Sequence, residues 1–158
     1  MAAARPAAAA AAAGAGSHGL PASVRALIAD DMRVNRMVLR RIFEKSFGWA
    51  VVEAQSAEEV LDRMVSRGEV YDLVIIDEHF APAPALLGSA AIRELRTRLS
   101  GTEVIISCTG NSSSLSLPAD LIDAVWGKPI PDWRDGSMQR ELAALLTQRR
   151  ATHGSASV

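Results

Sequence analysis

The stretch that most constrains the fold is Leu73-Val74-Ile75-Ile76-Asp77. Four large aliphatics in succession form a run too short for a helix. They read as a strand buried on both faces, the usual state in the middle of a parallel sheet. The run ends in a carboxylate. In open α/β sheets, ligands bind outside the carboxyl ends of the strands. Asp77 is therefore either an incidental loop residue or the centre of a site, and the flanking pattern decides between the two.

Val24 to Ala29 predicts a first strand, ending in Asp30-Asp31. Val34, Met37, Val38, Ile42 and Phe43 recur at helical spacing up to Phe47, where Gly48 stops the helix. That spacing predicts a buried stripe, with Arg33, Arg36, Arg40 and Arg41 on a solvated face or facing a docked partner. Trp49 to Ala54 predicts a second strand. Ser56 with Glu59 is a capping box that opens a helix through Val60, Leu61, Met64 and Val65 to Gly68. After Asp77, the stretch from Phe80 to Gly88 holds Pro82 and Pro84 and reads as a loop; a helix follows through Ala91, Ile92, Leu95 and Leu99 to Gly101. Glu103 to Thr109 predicts a fourth strand. Leu115 to Ile122 is a poor helix because Pro118 falls inside it. Ala124 to Gly127 predicts a fifth strand, leading into Lys128-Pro129, and Met138, Leu142, Leu145 and Leu146 mark a final amphipathic helix. Strands alternating with helices predict an α/β, doubly wound, five-stranded parallel sheet. Right-handed crossovers then point every strand the same way and gather the carboxyl ends on one edge.

The chain of 158 residues is long enough for one domain with a full core, placed at 23–150. Residues 1–22 are alanine-rich and read as a low-complexity tail, and residues 151–158 as a short C-terminal tail. A formal net charge of −1 gives no pointer to nucleic acid or to a membrane surface. The single cysteine, Cys108, excludes an internal disulfide and a multi-cysteine metal site, and reads as a small buried hydrophobe. No run of large apolar side chains approaches the roughly 20 residues of a spanning helix. A cytoplasmic location is expected, with organelle targeting by the acid-free N-terminus as the alternative.

The polar residues of interest all fall at strand ends: Asp30 and Asp31 after the first, Asp77 after the third, Thr109 at the fourth and Lys128 after the fifth. If strands one and three are neighbours, three carboxylates converge. Two carboxylates about 4 Å apart repel by roughly 4 kcal/mol at an effective dielectric near 20. An oxygen-only cluster of this kind suits Mg²⁺, with Mn²⁺ possible. Asp77 can then serve as a nucleophile on phosphorus, and Lys128 and Thr109 can neutralise charge on the transferred group.

These pieces resemble the receiver domain of two-component response regulators. The matching residues are Asp30-Asp31, the segment Tyr71 to Asp77, Ser107-Cys108-Thr109-Gly110-Asn111, and Lys128-Pro129; Asp31 to Arg36 is similar to the corresponding turn of receivers attached to hybrid histidine kinases. The resemblance spans about Val24 to Arg149. It implies a flavodoxin-like strand order 2-1-3-4-5. It also implies that Asp77 is the phospho-acceptor and that Asp30, Asp31, Asp77 and the backbone carbonyl of His79 bind the metal. Thr109 and Lys128 would contact the phosphoryl group, and His79 and Asn111 would tune its lifetime. The Lys128-Pro129 peptide is a candidate for cis. The implied partner is a histidine kinase or a histidine phosphotransfer protein, with an unidentified output partner and no direct contact with nucleic acid or membrane. Such a protein is a switch rather than a turnover enzyme.

Three departures from the family accompany this. Val125, with Trp126 beside it, stands where an aromatic switch residue is usual, so Thr109, Val125 and Trp126 are the candidate switch positions. The loop from Phe80 to Gly88 is long. The segment before the fifth strand carries Pro118. Two other functions compete: an aspartate-nucleophile phosphatase, with His79 at the general-acid position, and a receiver-like interaction module that works without phosphorylation.

Overall fold

The computed structural model describes residues 19–115 and 117–154. Among these, five strands form one parallel sheet in the order β2-β1-β3-β4-β5. The strands are β1 (Arg25–Ala29), β2 (Ala50–Ala54), β3 (Leu73–Asp77), β4 (Val104–Cys108) and β5 (Ala124–Trp126). The helices are α1 (Arg33–Arg41), α2 (Ala57–Leu61), α3 (Gly88–Arg98) and α4 (Ser137–Gly154). Both α1 and α2 loosen at their ends into a wider π-type turn, over Ile42–Ser46 and Asp62–Ser66.

The alternation of side chains along each strand divides the core into two layers. Ile28, Ile75 and Ile106 face one way, onto Leu39, Ile42 and Phe43 of the first helical segment and Met138, Leu142 and Leu146 of α4. Leu27, Val74, Ile76 and Ile105 face the other way, onto Val60, Met64, Ile92 and Leu95. All five residues of β3 are buried, the four aliphatics as their unbroken run requires and Asp77 with them. Each large aliphatic so buried contributes about 1.5–3 kcal/mol. Ser56 caps α2 by accepting from the Glu59 amide at 3.1 Å, and Glu59 reaches back to the Gln55 amide at 2.9 Å.

The structure corrects the reading of α1. Val34, Met37 and Val38 do not form the buried stripe: they are 55%, 52% and 48% exposed. The buried positions are Leu39, Ile42, Phe43 and, against expectation, Arg36. Arg33, Arg40 and Arg41 are exposed as predicted. Helix α1 thus carries apolar residues on two sides, and only one of them reaches the core.

Other boundaries shift less. Leu20 packs on the core and the Trp49 indole donates to the Pro21 carbonyl at 3.0 Å, so ordered packing begins inside the segment assigned to the tail. Residues 1–18 and 155–158 lie outside the described residues, as does Ser116 within the predicted poor helix. Helix α4 continues through Ala151–Gly154. Between β4 and β5 a single 3₁₀ turn, Ser112–Ser114, is the helical piece among the described residues, as Pro118 suggested. Leu117, Leu121 and Ile122 still pack onto the α2–α3 layer.

Candidate functional site

β1 and β3 are direct neighbours, with Ala29 opposite Ile76. Their next residues, Asp30 and Asp77, therefore emerge side by side at the carboxyl edge. Among the described residues, Asp30, Asp31 and Asp77 form a group whose ligand oxygens all lie within 4.8 Å of one another. Three carboxylates so placed can hold a hard divalent cation, and the all-oxygen donor set fits Mg²⁺ chemistry.

Lys128 closes the cluster. Its Nζ donates to Asp77 Oδ2 at 2.6 Å and to Asp30 Oδ2 at 3.0 Å. Burial works against the ammonium, but the hydrogen bonds and charges of Asp77 and Asp30 outweigh it and hold its pKa above the ordinary lysine value. Asp77 is pushed up from the ordinary carboxylate value. Burial is the main cause, the Asp30 charge adds to it, and Lys128 and the Glu78 amide oppose it. That amide donates to Asp77 Oδ1 at 2.7 Å.

The remaining predicted residues surround this centre. Asp77 pairs with Cys108 across β3 and β4, so Thr109, buried, comes one residue beyond that pair. Its hydroxyl accepts from the Asn111 amide at 3.3 Å. His79 and Asn111 are both exposed beside the site. The Lys128-Pro129 peptide is cis. Val125 is 40% exposed, while Trp126 is 1% exposed and donates from its indole to Glu141 Oε2 at 3.0 Å. Trp126 is therefore a core residue tying β5 to α4, and Val125 alone presents a side chain outward there. Cys108 is buried, and burial lifts its thiol to about 11.

Four residues of the site were given no role there by the sequence, although Asn35 and Arg36 fall within the matched turn Asp31 to Arg36. Asn35 donates from Nδ2 to Asp30 Oδ2 at 3.0 Å. Arg36 reaches the backbone behind the acidic pair, with Nη1 at 2.7 Å from the Asp30 carbonyl. Glu78, buried next to Asp77, accepts from the Ser89 amide at 2.8 Å and hydroxyl at 2.7 Å, which fixes the start of α3. Gly88 lies so close to β3 that a Cβ there would stand 2.0 Å from the Asp77 carbonyl oxygen. The loop between them is fastened over the acids, since the Ala81 amide donates to Asp31 Oδ2 at 3.0 Å.

Comparison with known proteins fits this geometry. The response regulator receiver domain model matches residues 26–123. The chain belongs to the response regulator receiver family. A two-component response regulator of Oryza sativa subsp. japonica, ORR41, is 30% identical over 80% of this chain and 94% of its own length. The sensory/regulatory protein RpfC of Xanthomonas campestris pv. campestris is 45% identical over 47% of this chain, a stretch that covers only 9% of RpfC. Among solved structures, the response regulator TrrA of Thermotoga maritima, in complex with Mg²⁺-BeF, aligns with a TM-score of 0.62 at 24% identity, covering 77% of this receiver and 98% of TrrA. The strand order and the receiver assignment follow as read from the sequence. Among the described residues no helix is long and apolar enough to cross a membrane.

Proposed function

We propose that this receiver is a phosphorylation switch of a two-component relay in which Asp77 takes a phosphoryl group from a phosphohistidine. The observation that carries the reading is the convergence of Asp30, Asp31 and Asp77 within 4.8 Å, with Lys128 on two of the three. In the transfer, an Asp77 carboxylate oxygen forms a bond to phosphorus as the bond from phosphorus to the donor's imidazole nitrogen breaks, and that imidazole regains a proton. Asp30, Asp31, Asp77 and the His79 carbonyl would hold Mg²⁺, or Mn²⁺ in its place, which when bound neutralises charge on the phosphoryl oxygens. Lys128 would move its hydrogen bonds from the carboxylates to the phosphoryl group, and Thr109 would donate its hydroxyl. His79 and Asn111, exposed at the rim, would tune the lifetime of the acyl phosphate. Thr109 and Val125 are the positions through which β4 and β5 would read it out, with Trp126 holding β5 to α4 from the core. The protein acts as a switch, not as a turnover phosphatase, and works in the cytoplasm.

The phosphodonor is a histidine kinase or histidine phosphotransfer protein, and the exposed side of α1 suits its docking. Met32, Val34, Met37 and Val38 are 48–55% exposed. Of these, Val38 lines a cavity of about 250 Å³, shared with Leu39, Pro129 and Ile130, that also takes in Asp30 and Lys128. An apolar face that reaches the acidic site through Val38 would seat a donor helix and bring its histidine to Asp77. Incubation with a phosphorylated histidine phosphotransfer protein should label the wild-type chain and leave Asp77→Asn unlabelled. Met37→Glu should lose transfer from the protein donor yet keep labelling by acetyl phosphate. Equal transfer to Met37→Glu and wild type would remove α1 from the docking surface, and labelling of Asp77→Asn would overturn the acceptor assignment.

A further inference from the structure

We propose that Arg36 is a positioning residue for the acidic pair: it fixes the turn that carries Asp30 and Asp31, and so sets the affinity of the site for a divalent cation. The inference rests on the metal reading of that site. Arg36 is only 6% exposed, and arginine is almost never buried unless paired. Its Nη1 donates to two successive backbone carbonyls, Asp30 at 2.7 Å and Asp31 at 3.2 Å. Its Nε donates to Glu53 Oε2 at 3.3 Å, on the neighbouring strand β2. One guanidinium therefore ties together the exit of β1, the entry of α1 and the end of β2.

The physical consequence lies in the backbone. β1 ends at Ala29 and α1 begins at Arg33, so the residues between must reverse the chain within a short turn. Holding two successive carbonyls restricts ψ at both Asp30 and Asp31, and with it the directions in which their side chains leave the chain. The Asp30 carboxylate is then held separately by the Met32 amide at 2.8 Å and by Asn35 at 3.0 Å. Arg36 touches none of the carboxylate oxygens of the metal group. It acts on the scaffold beneath them, as outer-shell partners do when they orient metal ligands. Glu53 anchors the far end of the fork and is itself shared with Arg40 Nη1 at 3.5 Å.

Positioning and simple electrostatics predict opposite signs. Arg36 is a fixed positive charge near a cation site, so removing it should tighten Mg²⁺ binding if charge were its main influence. If it positions the acids, removing it should weaken binding by about 10-fold or more, the usual loss for outer-shell partners. The experiment is calorimetric titration of the metal-free chain with Mg²⁺, for wild type, Arg36→Met, Arg36→Lys and Asp30→Asn, with thermal melts in chelator alongside. Arg36→Met should bind Mg²⁺ about 10-fold more weakly than wild type. Arg36→Lys, which keeps the charge but not the fork, should also bind more weakly. The rate of labelling by acetyl phosphate should recover towards wild type in both variants when Mg²⁺ is raised to saturation, because the acceptor itself is untouched. Unchanged or tighter binding in a folded Arg36→Met or Arg36→Lys overturns the proposal. Failure of both variants to fold would assign Arg36 to the fold rather than the site, and overturns it as well. If the wild-type chain and Asp30→Asn both fail to bind Mg²⁺, the metal reading itself falls, which separates that failure from this one.

Discussion

Replacing Lys128 by methionine should destabilise the metal-free protein in a way that depends on pH. The lysine bridges two carboxylates whose side chains are 9% (Asp77) and 7% (Asp30) exposed. Without it those acids face each other, with oxygens within 4.8 Å. At an effective dielectric near 20, the repulsion is about 3–4 kcal/mol. Breaking a buried ion pair on one side costs about 3–5 kcal/mol. The lysine side chain is itself 30% exposed, which places the expected loss at the lower end, about 3 kcal/mol at neutral pH. The pH dependence follows from the acids. Burial already raises the Asp77 pKa above the ordinary 3.8, and Lys128 is the main influence opposing that rise. Removing the lysine raises it further. An acid whose folded pKa lies above its unfolded value lowers stability once ionised, so the variant loses stability as pH rises from about 4 through its folded pKa. Lys128 itself has a raised pKa, so its own contribution is fully present below the ordinary 10.5 and is lost only as pH rises through the folded value. Urea unfolding in chelator, followed by tryptophan fluorescence at about pH 7.5 and about pH 4.5, reads both effects. The deficit should be near 3 kcal/mol at the higher pH and much smaller at the lower. A deficit below about 1 kcal/mol at neutral pH, or an equal one at both, would refute the reasoning.

Further outcomes follow from neighbouring parts of the structure. Gly88→Ala puts a Cβ 2.0 Å from the Asp77 carbonyl oxygen, so it should cost about 1–3 kcal/mol in urea unfolding and slow phosphorylation by acetyl phosphate. Wild-type behaviour would mean that α3 can retreat from β3 freely. Arg96 joins Glu103 at 2.9 Å and Asp123 at 3.0 Å with its side chain 9% exposed, and Asp123 also takes Arg149 at 2.7 Å. Arg96→Met should therefore lose about 3–5 kcal/mol of stability while leaving Mg²⁺ affinity unchanged, as measured by denaturation and calorimetry. Cys108, with its thiol lifted to about 11, should resist iodoacetamide at neutral pH until the chain unfolds; rapid modification of the folded protein would contradict its burial.

Much of the site was legible because it depends on strand ends. Once five strands alternate with helices, parallel topology brings Asp30, Asp31, Asp77, Thr109 and Lys128 to one edge whatever the packing details. The aliphatic run before Asp77 located that edge. Helix α1 was less legible. Val34, Met37 and Val38 have helical spacing and look like a core stripe, yet Leu39, Ile42 and Phe43 have it too, and periodicity alone cannot say which of two apolar sides meets the sheet. Arg36 is illegible for a different reason: a charged residue reads as solvated unless its carbonyl partners are known. The close approach of Gly88 to Asp77 joins residues separated by a long loop, and only the folded backbone reveals it. Trp126 reads as a candidate switch position because it stands beside Val125, where an aromatic is usual; its burial and its contact with Glu141 on α4 make it a core residue.

The most direct test of the central claim is intact mass after incubation with Mg²⁺ and acetyl phosphate. Wild-type protein should gain one phosphoryl group, lost on mild alkaline treatment as an acyl phosphate is, while Asp77→Asn should gain none and chelator should prevent the gain. No gain in the wild type, or an equal gain in Asp77→Asn, would contradict the assignment of Asp77 as the phospho-acceptor.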